Sequence, residues 1–165
     1  MLLQYGTLKT ALFGTIYIVS DGEYIIDISL SEIDWNKTIS RYNVRRDQEL
    51  PIIKECVIQL NEYFEGNRKE FNLPVKYSGT DFQQKVWTEL QSIPYGITCS
   101  YKDIAVAINN EKAVRAVGQA NRANPIPIII PCHRVIGKNN TLTGYAGNRT
   151  DLKEKLLMIE GSYRN

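Results

Sequence analysis

The sequence predicts an α/β unit over residues 1–76, followed by a mainly α unit over residues 77–165 that contains a helix-turn-helix. Three stretches carry that reading. "TIYIVSDGEYIIDISL" (15–30) sets two β-branched and aromatic runs on either side of Asp21-Gly22, the pairing that marks a tight hairpin. "FNLPVKYSGT" (71–80) is rich in turn formers and reads as a connector. Beyond it, apolar residues recur at helical spacing behind residues suited to cap a helix.

In the first unit a helix starts at Pro51, whose missing N–H costs nothing at a first helical position. Ile52, Ile53, Cys56, Val57, Leu60, Tyr63 and Phe64 then recur at helical spacing until Gly66. Cys56 falls on the core face, as an inert buried thiol. In the second unit Thr80 and Gln83 stand at capping-box spacing, with Phe82, Val86, Trp87 and Leu90 on one stripe and a Pro-Tyr-Gly turn at the end. Ser100 and Asp103 repeat the cap ahead of Ile104, Ala105 and Ile108. Asn109 and Asn110 then turn the chain into "EKAVRAVGQANRA" (111–123), the second helix of the pair. There Ala113, Ala116, Val117 and Ala120 form a small apolar seam, and Arg115, Gly118, Gln119 and Arg122 share the other face. Two arginines beside a glycine let the backbone approach something negatively charged. "ANPIPIIIPCHRV" (123–135) uses three prolines to hold the chain extended, and Ile128, Ile129 and Ile130 predict a strand buried on both sides. "DLKEKLLMIEGS" (151–162) predicts a closing helix with Leu152, Leu156, Leu157 and Ile159 inward.

At 165 residues with 43% apolar content the chain can bury a core. It has no apolar run of membrane-spanning length, and Gln4, Gly6 and Lys9 interrupt the start, unlike a secretory signal. Cys56, Cys99 and Cys132 match neither a disulfide framework nor a zinc ligand pair, so reduced thiols and a cytoplasmic location are expected. The reading requires no cofactor and no metal. Charge is uneven: residues 1–76 carry 9 basic and 11 acidic side chains, residues 77–165 carry 11 and 7. Lys112, Arg115, Arg122, Arg134 and Lys138 follow one another without an intervening acid, which suits a polyanion or, more blandly, a solvated basic face.

The apolar run ends in Cys132, His133 and Arg134, and His133 is the only histidine. A cysteine near His and Arg at the edge of an apolar pocket is expected as thiolate rather than thiol. In an extended chain Cys132 and His133 would point to opposite faces, so either the chain bends there or a water joins them. An imidazole that acts as a base needs a partner on its other nitrogen. Glu160 is the first candidate, ahead of Asp151 and Glu154.

"GTDFQQKVW" (79–87), "IPYG" (93–96), "SYKDIA" (100–105), "RAVG" (115–118), "PCHRV" (131–135), "GYAG" (144–147), "LL" (156–157) and Glu160 together resemble the O6-alkylguanine-DNA alkyltransferase family, in the family's order and over about half of the chain. The resemblance implies a ribonuclease-H-like N-terminal unit, a small sheet plus helix, and a winged-helix-like C-terminal unit. It implies a protein that transfers an alkyl group from O6 of guanine in double-stranded DNA to its own Cys132, once per molecule, without a cofactor and as a monomer. His133 would be a water-linked base oriented by Glu160. Tyr101 would donate to N3 of the guanine. Arg115 would enter the minor groove in place of a flipped-out nucleotide, on the helix face that also carries Gly118 and Arg122. The carbonyls of Cys132 and Val135 would read the exocyclic amine, the N–H of Ala146 would approach O6, and Asn124 would tie the recognition helix to the strand. O4-alkylthymine is a further conceivable lesion. Gln119 and Asn148 depart from the family's usual glycines, at the border of the lesion pocket. Two other classes compete: a module that binds alkylguanine without repairing it, which lacks the acceptor cysteine, and a Cys-His hydrolase, which needs an oxyanion hole and turns over repeatedly.

Overall fold

The computed structural model describes residues 2–137 and 150–162 and separates into two compact units, Met1–Tyr77 and Ser78–Asn165. In the first unit, β1 (Leu2–Thr10), β2 (Gly14–Ser20), β3 (Ile25–Ser29) and β4 (Asn43–Arg46) form a sheet of order β3-β2-β1-β4. β1–β2 and β2–β3 are antiparallel and β1–β4 is parallel. The expected turn at Asp21-Gly22 joins β2 to β3: the Asp21 carboxylate accepts from the N–H groups of Glu23 and Tyr24, and Gly22 takes φ 103°. β1, β4 and α1 (Glu32–Arg41) had no expectation in the sequence. α1 is capped by the Ser31 hydroxyl, which accepts from Asp34 N–H, and buries Trp35 and Thr38. α2 (Pro51–Phe64) begins at Pro51 as expected and buries Ile53, Cys56, Leu60 and Tyr63. Ile53 lies so close to Gly6 of β1 that a Cβ there would meet its side chain at 2.4 Å, which makes Gly6 the point of closest approach between helix and sheet.

The second unit is helical. α3 (Asp81–Leu90) and α4 (Tyr101–Ala107) each carry the expected capping box, Thr80 with Gln83 and Ser100 with Asp103. Asn109, in left-handed conformation at φ 60°, turns the chain toward α5 (Val114–Arg122), which packs against α4 and α3. Val117, Ala120 and Asn121 are the buried residues of α5. Ala116 is exposed and Ala113 half-buried, so the expected alanine seam is narrower than its spacing implied. The Trp87 indole N–H donates to the Ala120 carbonyl at 2.8 Å and fastens α3 to the end of α5.

One expectation for the stretch after α5 is corrected: Ile128–Ile130 do not form a strand. The chain folds back on itself, with Ile130 N–H bonded to Ile126 O at 2.9 Å and Ile128 at φ 74°. The unbroken apolar run is explained instead by burial of a turn: Ile126, Ile128 and Ile130 are all buried, and three prolines remove the N–H donors a ladder would need. Cys132–Arg134 form a 3-10 turn, the bend that was one of the two alternatives for this pair, so Cys132 and His133 are not on opposite faces of an extended chain. Val135–Ile136 (β6) then pair in parallel with Cys99–Ser100 (β5), and α6 (Thr150–Ile159) closes the unit. α6 buries Leu152, Leu156 and Leu157, with Ile159 half-buried, and it buries Lys153 as well.

Candidate active site

Cys132, on the 3-10 turn, is 3% exposed and neighbours a set of fully buried polar side chains. His133 Nε2 lies 2.7 Å from Glu160 Oε2, with both side chains at 0% exposure. Glu160, one residue beyond α6, is therefore the partner of the imidazole, while Asp151 lies exposed on the first turn of the same helix. His133 Nδ1 is buried and has no hydrogen-bond partner among the described residues. Burial pushes the His133 pKa below the usual imidazole value, against the attraction of Glu160, so the ring is neutral at physiological pH and free to accept a proton.

The thiol itself departs from expectation. Burial pushes the Cys132 pKa up to about 11, against a hydrogen bond from Asn124 and the charge of Lys153, so the resting group is a thiol and not a thiolate. Desolvation of a fully enclosed sulfur outweighs its cationic neighbours, and a nucleophile here must lose its proton to a base during reaction. Cys56, in the core of the first unit, is the inert thiol expected, its pKa raised to about 12 by burial. All three cysteines are free of disulfides.

Asn124, two residues beyond α5, is bonded to the turn that precedes Cys132: its Nδ2 donates to Ile130 O at 2.8 Å and its Oδ1 accepts from Ile126 N–H at 3.0 Å. A second tie escaped the sequence reading. Asn121, 1% exposed on α5, donates from Nδ2 to the Cys132 carbonyl at 3.2 Å. Its signal was its place four residues after Val117, on the inward side of the helix. Tyr101 opens α4, and Lys153 Nζ stands 3.5 Å from its hydroxyl. Burial lowers the Lys153 pKa to about 8. Lys153 also escaped notice, although Lys153, Leu157 and Glu160 share one inward stripe at helical spacing, where two charged residues in a buried row mark chemistry rather than packing.

Arg115, Gln119 and Arg122 lie exposed on α5 and Gly118 is half-buried, where a Cβ would stand 3.9 Å from the Tyr101 ring. Arg134 is instead buried, and does not extend the exposed basic face. Val135 is fully buried on β6. Ala146, Asn148 and Lys138 lie outside the described residues. Among the described residues no cluster of His, Cys, Asp and Glu could hold a metal ion.

The comparisons with known proteins agree with this architecture. Residues 81–162 match the family model for the 6-O-methylguanine DNA methyltransferase DNA-binding domain, and residues 3–77 that for its ribonuclease-like domain. The chain is 50% identical over 159 residues to the constitutive methylated-DNA–protein-cysteine methyltransferase of Bacillus subtilis, covering 94% of each. The crystal structure of Mycobacterium tuberculosis O6-methylguanine methyltransferase superposes with a TM-score of 0.85 at 38% identity, covering 99% of this chain and 95% of that one. The Mycobacterium tuberculosis protein OGT in complex with DNA gives 0.82 at 36% identity, with 96% and 94% covered. With both units matched in order and a buried cysteine, histidine and glutamate gathered in the second, the chain belongs to the 6-O-methylguanine DNA methyltransferase family.

Proposed function

We propose that this chain repairs alkylated DNA directly, as a methylated-DNA–protein-cysteine methyltransferase that moves the alkyl group from O6 of guanine to Cys132. The carrying observation is the buried Cys132 beside a neutral His133 whose second nitrogen is engaged by Glu160. His133 Nδ1 takes the thiol proton through a water as sulfur attacks the alkyl carbon. The carbon–O6 bond breaks, its electron pair stays on guanine, and a proton delivered at N3 from the Tyr101 hydroxyl neutralises the base. Lys153, next to that hydroxyl, favours the negative charge that Tyr101 bears as its proton leaves. The product is a thioether, and no described group can cleave it, so each molecule acts once.

Exposed Arg115, Gln119 and Arg122 on α5 form the face that meets the duplex from the minor groove, with Arg115 filling the place of the extruded nucleotide and Gly118 allowing close approach. The carbonyls of Cys132 and Val135 and the N–H of Ala146 read the base, and Asn124 holds the helix to the acceptor turn. Guanine is the principal lesion and O4-alkylthymine a secondary one. The protein acts as a monomer in the cytoplasm, in keeping with three thiols free of disulfides and with no helix among the described residues long and apolar enough to cross a membrane. Incubation with duplex DNA containing O6-methylguanine, followed by peptide mass spectrometry, tests the reading: the mass of one CH2 is expected on the peptide bearing Cys132, at one per protein molecule. Several demethylated guanines per molecule, or a label on Cys56 or Cys99, would overturn it.

A further inference from the structure

The carboxylate that orients His133 is itself gripped from the other side. Arg134, 7% exposed, donates from Nε to Glu160 Oε1 at 2.9 Å and from Nη2 to Glu160 Oε2 at 3.1 Å, while its Nη1 donates to the Ile93 carbonyl at 2.6 Å. Oε2 is the oxygen that also faces His133 Nε2. The seat of the guanidinium is the turn after α3: Tyr95 lies under it with its ring centroid 5.7 Å from Cζ, and the Tyr95 hydroxyl donates to Ile159 O at the end of α6. Gly96, at φ 82°, passes close enough for an added Cβ to stand 3.5 Å from the Glu160 carbonyl. The "IPYG" stretch thus supplies a carbonyl, a ring and a close backbone approach around one buried arginine.

We propose that Arg134 is a positioning residue, whose fork on both oxygens of Glu160 fixes the tautomer of His133 and so keeps Nδ1 as the proton acceptor. A carboxylate receiving two guanidinium N–H groups is an acceptor only, and the imidazole nitrogen that faces it must then be the one that carries hydrogen. Nδ1 is left with its lone pair. Without the fork, a carboxyl buried at Glu160 can take a proton and donate it to Nε2. The hydrogen of the ring then moves to Nδ1, and the base is lost although every atom of the Cys–His–Glu set is still present. The guanidinium also opposes protonation of the ring through its own positive charge.

The inference rests on the alkyl-transfer reading for its kinetic arm, but its structural arm does not. His133 is the sole histidine, so the 15N and 13C resonances of one imidazole report tautomer and titration without assignment. Wild-type protein should show a single Nε2–H tautomer that titrates below the ordinary imidazole range. Arg134→Gln should show Nδ1–H character and a titration moved upward, and its rate of alkylation by free O6-benzylguanine should fall on the acid limb, approaching one decade for each unit of that movement at pH values below both titrations. Arg134→Lys restores the charge without the fork, so its titration should return toward that of the wild type while its tautomers remain mixed and its rate recovers only in part. A folded Arg134→Gln protein with the wild-type tautomer and titration overturns the proposal. If Arg134→Gln does not fold, Arg134→Lys decides: mixed tautomers support the fork, a pure wild-type tautomer overturns it. Should wild-type Cys132 never be alkylated, the function reading fails and the histidine spectra still decide the role of Arg134.

Discussion

At the scale of single residues, the buried Cys132 and the exposed arginines of α5 can be tested apart. Cys132→Ala should abolish alkyl transfer while leaving DNA affinity within a few-fold, because the side chain is buried and adds nothing to the exposed basic face of α5. Transfer assays and binding titrations on the same preparation check both halves. Arg115→Ala should do the reverse if the exposed Arg115 enters the duplex as proposed: a large loss of repair in duplex DNA with little loss of reaction toward free O6-benzylguanine. Equal losses on both substrates would place Arg115 in the chemistry. The sequence made Cys132, His133 and Glu160 legible as a group, and the structure joins His133 to Glu160 as expected. The sequence could not show the charge state of the thiol. That depends on how completely Cys132 is enclosed, and enclosure is a property of the assembled unit.

Among the elements, local signals were legible where short-range chemistry decides the structure. The two capping boxes, the Asp21-Gly22 turn and the helix opened by Pro51 all form as their residues imply, because each is settled within a few positions of chain. β4 escaped because its pairing with β1 joins residues some forty positions apart, Leu2 with Asn43 and Tyr5 with Arg46, and no local pattern records that. The isoleucine run misled for a related reason: period and composition report burial, and a buried turn looks like a buried strand. The junction of β3 with α1 carries its own consequence. Asp27 is 7% exposed, and its Oδ1 accepts from the hydroxyls of Ser29 and Thr38, both at 3.2 Å. Burial raises its pKa from 3.8 to about 6, against those hydroxyls, with Arg41 also lowering it and Asp34 raising it. A carboxyl whose folded pKa is raised adds stability below pH 3.8 that is lost as pH rises through 6. Asp27→Asn keeps an acceptor for both hydroxyls and carries no charge. It should therefore stabilise the first unit at pH 7 by up to ~3 kcal/mol, and by little at pH 4. Urea denaturation at the two pH values measures the difference, and equal effects at both would contradict it.

For the whole molecule, DNA binding should depend on salt but only weakly on sequence, since the exposed basic residues of α5 and its surroundings can neutralise few phosphates. A log–log salt slope of roughly −2 to −5 is expected from titrations at several ionic strengths, and strong preference for one undamaged sequence would contradict the assignment. Alkylation should lower the melting temperature by several degrees, because Cys132 is buried and its carbonyl is held by Asn121, where added volume costs about 1–3 kcal/mol. Scanning fluorimetry before and after stoichiometric methylation reads the shift, and an unchanged or raised midpoint would mean a roomier site. The indole of Trp87, bonded to the last turn of α5, gives the protein an optical gauge of its own. The chain has two tryptophans, one in each unit, and Trp35 stacks on Tyr17 with ring centroids 4.4 Å apart. Replacing Trp35 with phenylalanine would leave a single emitter whose wavelength follows the Ala120 carbonyl. Displacement of that helix by damaged DNA or by a newly alkylated sulfur could then be timed by stopped flow, with no dye attached to the protein.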